Sequence, residues 1–202
     1  RKYEEAEKNL RIVIALDKNH AEAYLHIGLI LYFRNKFKEA EEKFRVVVNL
    51  KPNWVNGIIE LAKSIERQNR KKDAETYYKA AIRLEPNSLP TLTAYGFFMI
   101  NNADYIGAKK LFDKAEKLNN KDTTVKIGLG QIFEGQKKFK KALKIFKEIV
   151  EVDPNNIDAN LHIGIILQSQ GNHQKAINHF KSINKKFGNS AETLNNIGNS
   201  YS

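Results

Sequence analysis

The stretch "YLHIGLILYFRNK" runs from Tyr24 to Lys36, and "NLHIGIILQSQGN" runs from Asn160 to Asn172. The letters LHIG recur unchanged inside a matching hydrophobic pattern. The two copies lie 136 residues apart, which is four times 34. A fixed period is the signature of stacked repeats. Cutting the chain every 34 residues from Ala21 gives units at 21–54, 55–88, 89–122, 123–156 and 157–190 with no insertion or deletion. Residues 1–20 are then the second half of an earlier unit, and 191–202 the first part of a later one.

The columns of this frame agree. The eighth position reads Gly28, Ala62, Gly96, Gly130, Gly164 and Gly198. The twentieth is always alanine: Ala6, Ala40, Ala74, Ala108, Ala142 and Ala176. The twenty-fourth reads Leu10, Phe44, Tyr78, Phe112, Phe146 and Phe180. The thirty-second holds Pro52, Pro86 and Pro154, with Asn120 and Gly188 in the remaining units.

Tyr24, Ile27 and Leu31 share one face of a helix, and Ala40, Phe44 and Val47 form a stripe on a second. Small residues in two columns let the helices approach, and the aromatic column fills the space between them. Proline stops each second helix. "RNK" at 34–36 and "SQGN" at 169–172 supply the turn inside a unit, and Pro90 suits a first helical turn. Each unit is therefore a helical hairpin, and paired helices are expected near 22–34 and 38–50 and at every further period. One hairpin cannot bury its apolar face alone, so the expectation is an all-α stack over 1–202, one elongated domain without strands.

The period together with the small, aromatic and proline columns resembles the tetratricopeptide repeat, over all 202 residues. Two departures stand out: the usual bulky fourth position is Lys126 in one unit and Asn160 in another, where Val125 and Ile157 are expected to take over the packing, with looser packing there. The resemblance implies a right-handed superhelical solenoid whose concave wall comes mainly from positions 2, 5, 6, 9, 12 and 13 of the first helices. It also implies that no Hsp70/Hsp90-type carboxylate clamp is present. The fifth and ninth positions, which carry Lys and Asn in that clamp, are here Leu25/Leu29, Ile59/Lys63, Thr93/Phe97, Ile127/Gln131 and Leu161/Ile165. The asparagine ladder of the O-linked sugar transferases is matched at Asn196 alone.

His26 and His162 recur because the units recur, and a shared metal is not expected of them. His173 and His179 are six apart, not the four that would put two imidazoles on one helical face. No phosphate loop, nucleophile elbow or zinc motif occurs, and there is no cysteine. The glycines of "IGLGQIFEG" at 127–135 fall inside a helix. The segment reads as non-enzymatic, with no cofactor and no metal. The absence of cysteine excludes disulfides, and no apolar run approaches the ~18 residues of a membrane span. The chain reads as soluble, with the cytoplasm ahead of the periplasm and neither fixed by composition.

The formal charge is +11, from 34 basic and 23 acidic residues. Lys137, Lys138, Lys140, Lys141, Lys144 and Lys147 form its densest cluster. It lacks arginine and an aromatic platform for bases, so it reads as solvated surface before an acidic protein or lipid surface, with nucleic acid last.

The candidate partner groove is Leu25, His26, Leu29, Tyr32, Phe33, Ile59, Lys63, Phe97, Ile100, Gln131, Leu161, His162 and Ile165. Two readings of its apolar members stay open. Tight curvature buries them between helices, or they form a strip that docks an apolar peptide or helix of a protein partner. The function expected is a protein-binding scaffold. The alternatives are a substrate-recruiting arm of an enzyme whose catalytic domain lies elsewhere, and self-association through the repeat ends. The stripe Leu194, Ile197 and Tyr201 carries the last of these: the chain is expected to continue past it, or that end to pack on another molecule.

Overall fold

The computed structural model describes residues 2–201, and every regular element among them is a helix. Helix α1 (Lys2–Leu16) is a second helix without its first. The complete hairpins follow in order: α2 (Ala21–Phe33) with α3 (Phe37–Leu50), and α4 (Val55–Glu66) with α5 (Lys71–Leu84). Then come α6 (Leu89–Asn101) with α7 (Tyr105–Leu118), and α8 (Thr123–Gly135) with α9 (Phe139–Val152). The last hairpin is α10 (Ile157–Ser169) with α11 (His173–Phe187), and α12 (Ala191–Tyr201) ends the series. The expected spans hold to within a few residues.

The contacts divide the chain into two compact units, one up to Phe98 and one from Met99 onward, with the division inside α6. In the first, Val55, Ile58 and Ile59 of α4 pack with Ala81 of α5, and Val48, Tyr77, Ala80 and Ala94 close over them. In the second, Leu161 packs with Ala176, Phe180 and Ile183.

The repeat columns are the core. Ala40, Ala74, Ala108, Ala142 and Ala176 are all fully buried, as are Phe44, Phe112, Phe146 and Phe180. The glycine of the eighth position exists for the aromatic of the twenty-fourth: a Cβ on Gly28 would stand 2.5 Å from the Phe44 ring, and one on Gly130 2.6 Å from that of Phe146. The second hairpin uses Ala62 and Tyr78 instead, and the Tyr78 hydroxyl donates to Glu66 Oε2 at 2.8 Å. Burial holds that phenol protonated far above its ordinary range, with the Glu66 carboxylate adding to the effect. In α1 the same columns are open: Ala6 is exposed and Leu10 half-buried.

The backbone closes each repeat with two turns. The fifteenth position is left-handed in every complete unit, with φ of 59° at Asn35, 62° at Asn69, 60° at Ala103, 58° at Lys137 and 75° at Gly171. The next residue's N–H then reaches back five residues, as Lys36 does to Leu31 O at 2.9 Å and Asn172 to Leu167 O at 2.9 Å, which closes the helix end. Asn and Gly tolerate this conformation, whereas Ala103 carries a steric cost of ~1–2 kcal/mol. Ala103→Gly is expected to raise the unfolding free energy by about 1 kcal/mol, and Gly171→Ala to lower it by about as much. Urea midpoints check both. Between units, the thirty-fourth position caps the next first helix where its side chain can accept: Asp122 accepts from Val125 N at 3.0 Å and Asn156 from Ala159 N at 2.9 Å, whereas Trp54 makes no such bond. Pro52, Pro86 and Pro154 follow the ends of α3, α5 and α9.

One expectation needs correction. Val125 is fully buried beside Lys126, but Ile157 is 46% exposed and does not stand in for Asn160. Asn160 itself is buried, because its amide finds partners: Nδ2 donates to Asn156 O at 2.8 Å and to Pro154 O at 3.4 Å. Its backbone carbonyl oxygen bonds His179 Nε2 at 2.9 Å. A buried amide is tolerated when its donors are satisfied, so this slot is a polar joint and not a loose one.

A second polar joint ties the first two hairpins together. Glu41 is buried on α3. Its Oε1 accepts from Arg45 Nη2 at 2.7 Å, and its Oε2 from Arg70 Nη1 at 2.9 Å and Gln68 Nε2 at 2.6 Å. Burial alone pushes the Glu41 pKa up. The hydrogen bonds from Arg45, Gln68 and Arg70 outweigh it and hold the carboxyl below its ordinary value.

Candidate functional site

First helices are buried around most of their circumference. Positions 1, 3, 7, 8 and 10 lie inside in α2, at Ala21, Ala23, Ile27, Gly28 and Ile30, and the fifth joins them in every complete unit. Leu25, Ile59, Thr93, Ile127 and Leu161 are each at most 9% exposed. Helices α2, α4, α8 and α10 each pack against helices that precede and follow them in the chain, and an element apolar nearly all round belongs in such a place. Of the two readings left open for the apolar groove candidates, Leu25, Ile59 and Leu161 follow the first: they are buried between helices. What stays open is the stripe of positions 2, 6, 9 and 13, spaced four, three and four apart, with position 12 beside it.

In the first unit, His26 and Phe33 are exposed, while Leu29, Tyr32, Lys63 and Phe97 are half-buried. Tyr32 meets Phe33 and Phe37 edge-on, with ring centres 6.2 and 5.3 Å away. The Arg67 guanidinium lies 4.4 Å above the Phe37 ring and 5.7 Å from that of Tyr32. Lys63 pairs with Glu60 at 2.7 Å. The apolar groove candidates Tyr32 and Phe33 therefore belong to an aromatic island capped by a cation, and Phe33 is its open member at 68% exposure.

In the second unit, an open cleft of about 600 Å³ brings together Ile100, Gln131 and His162. It adds Asn101, Glu134, Gly135 and Ser169 from positions 12 and 13 of the first helices, and Tyr105, Lys137 and Phe139 from the turns and the start of the second ones. Ile165 lies outside it, half-buried against the cluster around Phe180. Gly135 matters for its lack of a side chain, because the Tyr105 ring lies where a Cβ would stand.

His162 organises the cleft. Its ring is stacked on Phe146 with centres 4.8 Å apart and planes 8° from parallel. Nδ1 lies 2.7 Å from Glu134 Oε2, and Nε2 lies 2.8 Å from Gln131 Nε2. A carboxylate only accepts, so Nδ1 carries the proton and donates it to Glu134. Nε2 then accepts from the Gln131 amide. Among the described residues no group of three or more His, Cys, Asp or Glu is placed to hold a metal ion.

The six lysines from Lys137 to Lys147 lie on the surface, and none forms an ion pair among the described residues. Lys138 Nζ donates to Gln136 Oε1 at 2.8 Å, and Lys141 Nζ sits 5.6 Å from the centre of the Phe133 ring. No helix among the described residues is long and apolar enough to cross a membrane.

Two models of one family match the sequence, both described as tetratricopeptide repeat, over residues 1–53 and 133–194, together more than half of the chain. The chain belongs to the tetratricopeptide repeat family. A comparison with curated proteins returned no match. Yeast Tom70 superposes with a TM-score of 0.72 at 20% identity, over 96% of this chain and 42% of that one. The chain thus spans well under half of Tom70. A thermophilic tetratricopeptide repeat protein of Thermus thermophilus gives 0.81 at 12% identity, over 90% of this chain and 98% of that one. YrrB, described as having an unusual peptide-binding site, gives 0.56 at 18% identity over 92% of this chain and 96% of its own. At these identities the likeness is one of fold. Tetratricopeptide repeats support a protein-interaction role in general, and an architecture of such repeats is typical of non-enzymatic scaffolds.

Proposed function

We propose that this chain is a non-enzymatic scaffold that holds a peptide segment of a protein partner against the open positions of its first helices, at the cleft of the second unit. The observation that carries this reading is the convergence of Gln131, Glu134 and His162 on an open cleft of about 600 Å³, with side chains already fixed by hydrogen bonds and ring stacking. A site held in place before binding loses little freedom when a ligand arrives. The size suits a few side chains of an extended segment, and Ile100, Tyr105 and Phe139 supply apolar contact beside the polar groups. A peptide site of an unusual kind is described for YrrB, which shares the fold.

Selection of binders from a displayed library of short random peptides tests the proposal. Ser169 is exposed at the end of α10 and lines the cleft, so Ser169→Trp fills the space without touching the core. It is expected to weaken selected peptides tenfold or more, while Lys144→Glu on the lysine face leaves them within about twofold. Binders indifferent to Ser169→Trp and lost on Lys144→Glu would move the site to α9. Phe33, the open aromatic of the first unit, favours a second reading in which a peptide docks on that unit by itself. Leu29→Glu separates the two places, since it leaves cleft-bound peptides unchanged and weakens those that use the first unit instead.

A further inference from the structure

We infer that the cleft recognises a basic side chain, arginine or lysine, of the bound peptide, and that Glu134 is the residue that reads it. This rests on the cleft being the peptide site. Glu134 is the only carboxylate of the lining. One of its oxygens is used: Oε2 accepts from His162 Nδ1 at 2.7 Å. The chain of donors runs from the Gln131 amide to the imidazole and from the imidazole to the carboxylate, and it stops there. Oε1 has no partner among the described residues.

The side chain of Glu134 is only 17% exposed. A carboxylate so placed gains most from a second strong donor, and a charged N–H gives a hydrogen bond about twice as strong as a neutral one. The chain does not supply that donor. Glu41, the other sheltered glutamate described above, is closed by two arginines. Glu134 has no lysine or arginine within ion-pair distance among the described residues, although 34 of the 202 residues are lysine or arginine. Lys137, which lines the same cleft, does not reach it. The cation is therefore left for the ligand to bring.

The rest of the lining suits the long stem of such a side chain. Tyr105 and Phe139 line the cleft and put aromatic surface beside the methylenes and charge of such a side chain. His162 cannot swing away to answer Glu134 differently, since it is held at both nitrogens and flat on Phe146. The carboxylate is thus aimed before the ligand arrives. A net charge of +11 repels strongly basic peptides as a whole, so the segment that fits carries one basic residue among neutral or acidic neighbours.

The test uses the same displayed library against the whole chain, with circular dichroism confirming that each variant is folded. Peptides selected on the natural sequence are expected to share an arginine or lysine at one position. Glu134→Gln lowers their affinity at least tenfold, but changes the affinity of the same peptides with that residue replaced by glutamine less than twofold. Glu134→Lys turns the preference at that position to aspartate or glutamate. Replacing the basic residue of the peptide needs no variant of the chain, and it also costs at least tenfold. Peptides that are lost on Ser169→Trp yet share no basic residue and ignore Glu134→Gln would overturn this inference and leave the peptide site standing. Peptides indifferent to Ser169→Trp would overturn both.

Discussion

Phe146→Ala is expected to lower the unfolding free energy by about 3–5 kcal/mol, the range for removing a buried aromatic from a core that cannot collapse around the loss. Phe146 is fully buried and fills the space that Gly130 leaves open. The reciprocal change has a smaller effect of the same origin. A Cβ at Gly130 stands 2.6 Å from the Phe146 ring, so Gly130→Ala costs about 1–3 kcal/mol through overpacking. The second hairpin carries Ala62 and Tyr78 at the same two positions, both buried. Gly130→Ala combined with Phe146→Leu is therefore expected to cost less than the sum of the two single changes. Urea unfolding of the four chains measures this, and strict additivity would contradict the pairing. Phe146→Ala also removes the surface on which His162 lies, so peptide affinity falls along with stability.

The second large effect is at Glu41. Glu41→Gln keeps the shape but removes the charge that Arg45 and Arg70 share. Both arginines are partly exposed and can return to water, so the cost is about 2 kcal/mol at neutral pH, below that of breaking a fully buried pair. The sign of the pH dependence follows from the lowered pKa. The folded carboxyl titrates below its ordinary value of 4.5, so its contribution is complete above that pH and is lost as pH falls through the folded value. The gap between the natural chain and Glu41→Gln is expected to narrow as pH falls below 4.5 toward the lower folded value. A gap that stays constant as pH falls through that range would show that the carboxylate charge is not what holds the joint.

The repeat frame was legible because every unit restates it. Gly28 with Phe44 and Gly164 with Phe180 repeat one contact, and a pattern repeated at a fixed spacing cannot be confused with chance. The fifteenth position was not legible as a rule. Its residues are Asn35, Asn69, Ala103, Lys137 and Gly171, and only the backbone shows that all five share a left-handed conformation. The candidate site was half legible. The wall positions contained Asn101, Glu134, Gly135 and Ser169, but their polar or missing side chains carry no apolar signal of the kind that Leu25, Ile59 and Leu161 give. A leucine on a first helix gives no sign in the sequence of which neighbour covers it, and burial by both flanking helices decided those three. Tyr105 and Phe139 did leave a signal. With Phe37 they make the seventeenth position aromatic in three units, directly after the turn. What no pattern could reveal is the hydrogen-bond chain from Gln131 through His162 to Glu134, because it joins two repeats at positions that differ from unit to unit.

The central claim is that the second unit holds a peptide against Gln131, Glu134 and His162. A crystal structure of the chain with a peptide selected from the library tests it most directly. The expected result is an extended or helical segment over α8 and α10 in the cleft, with a basic side chain within hydrogen-bond distance of Glu134 Oε1. Peptide density lying instead along the lysines of α9, from Lys140 to Lys147, with the cleft unfilled, would contradict it.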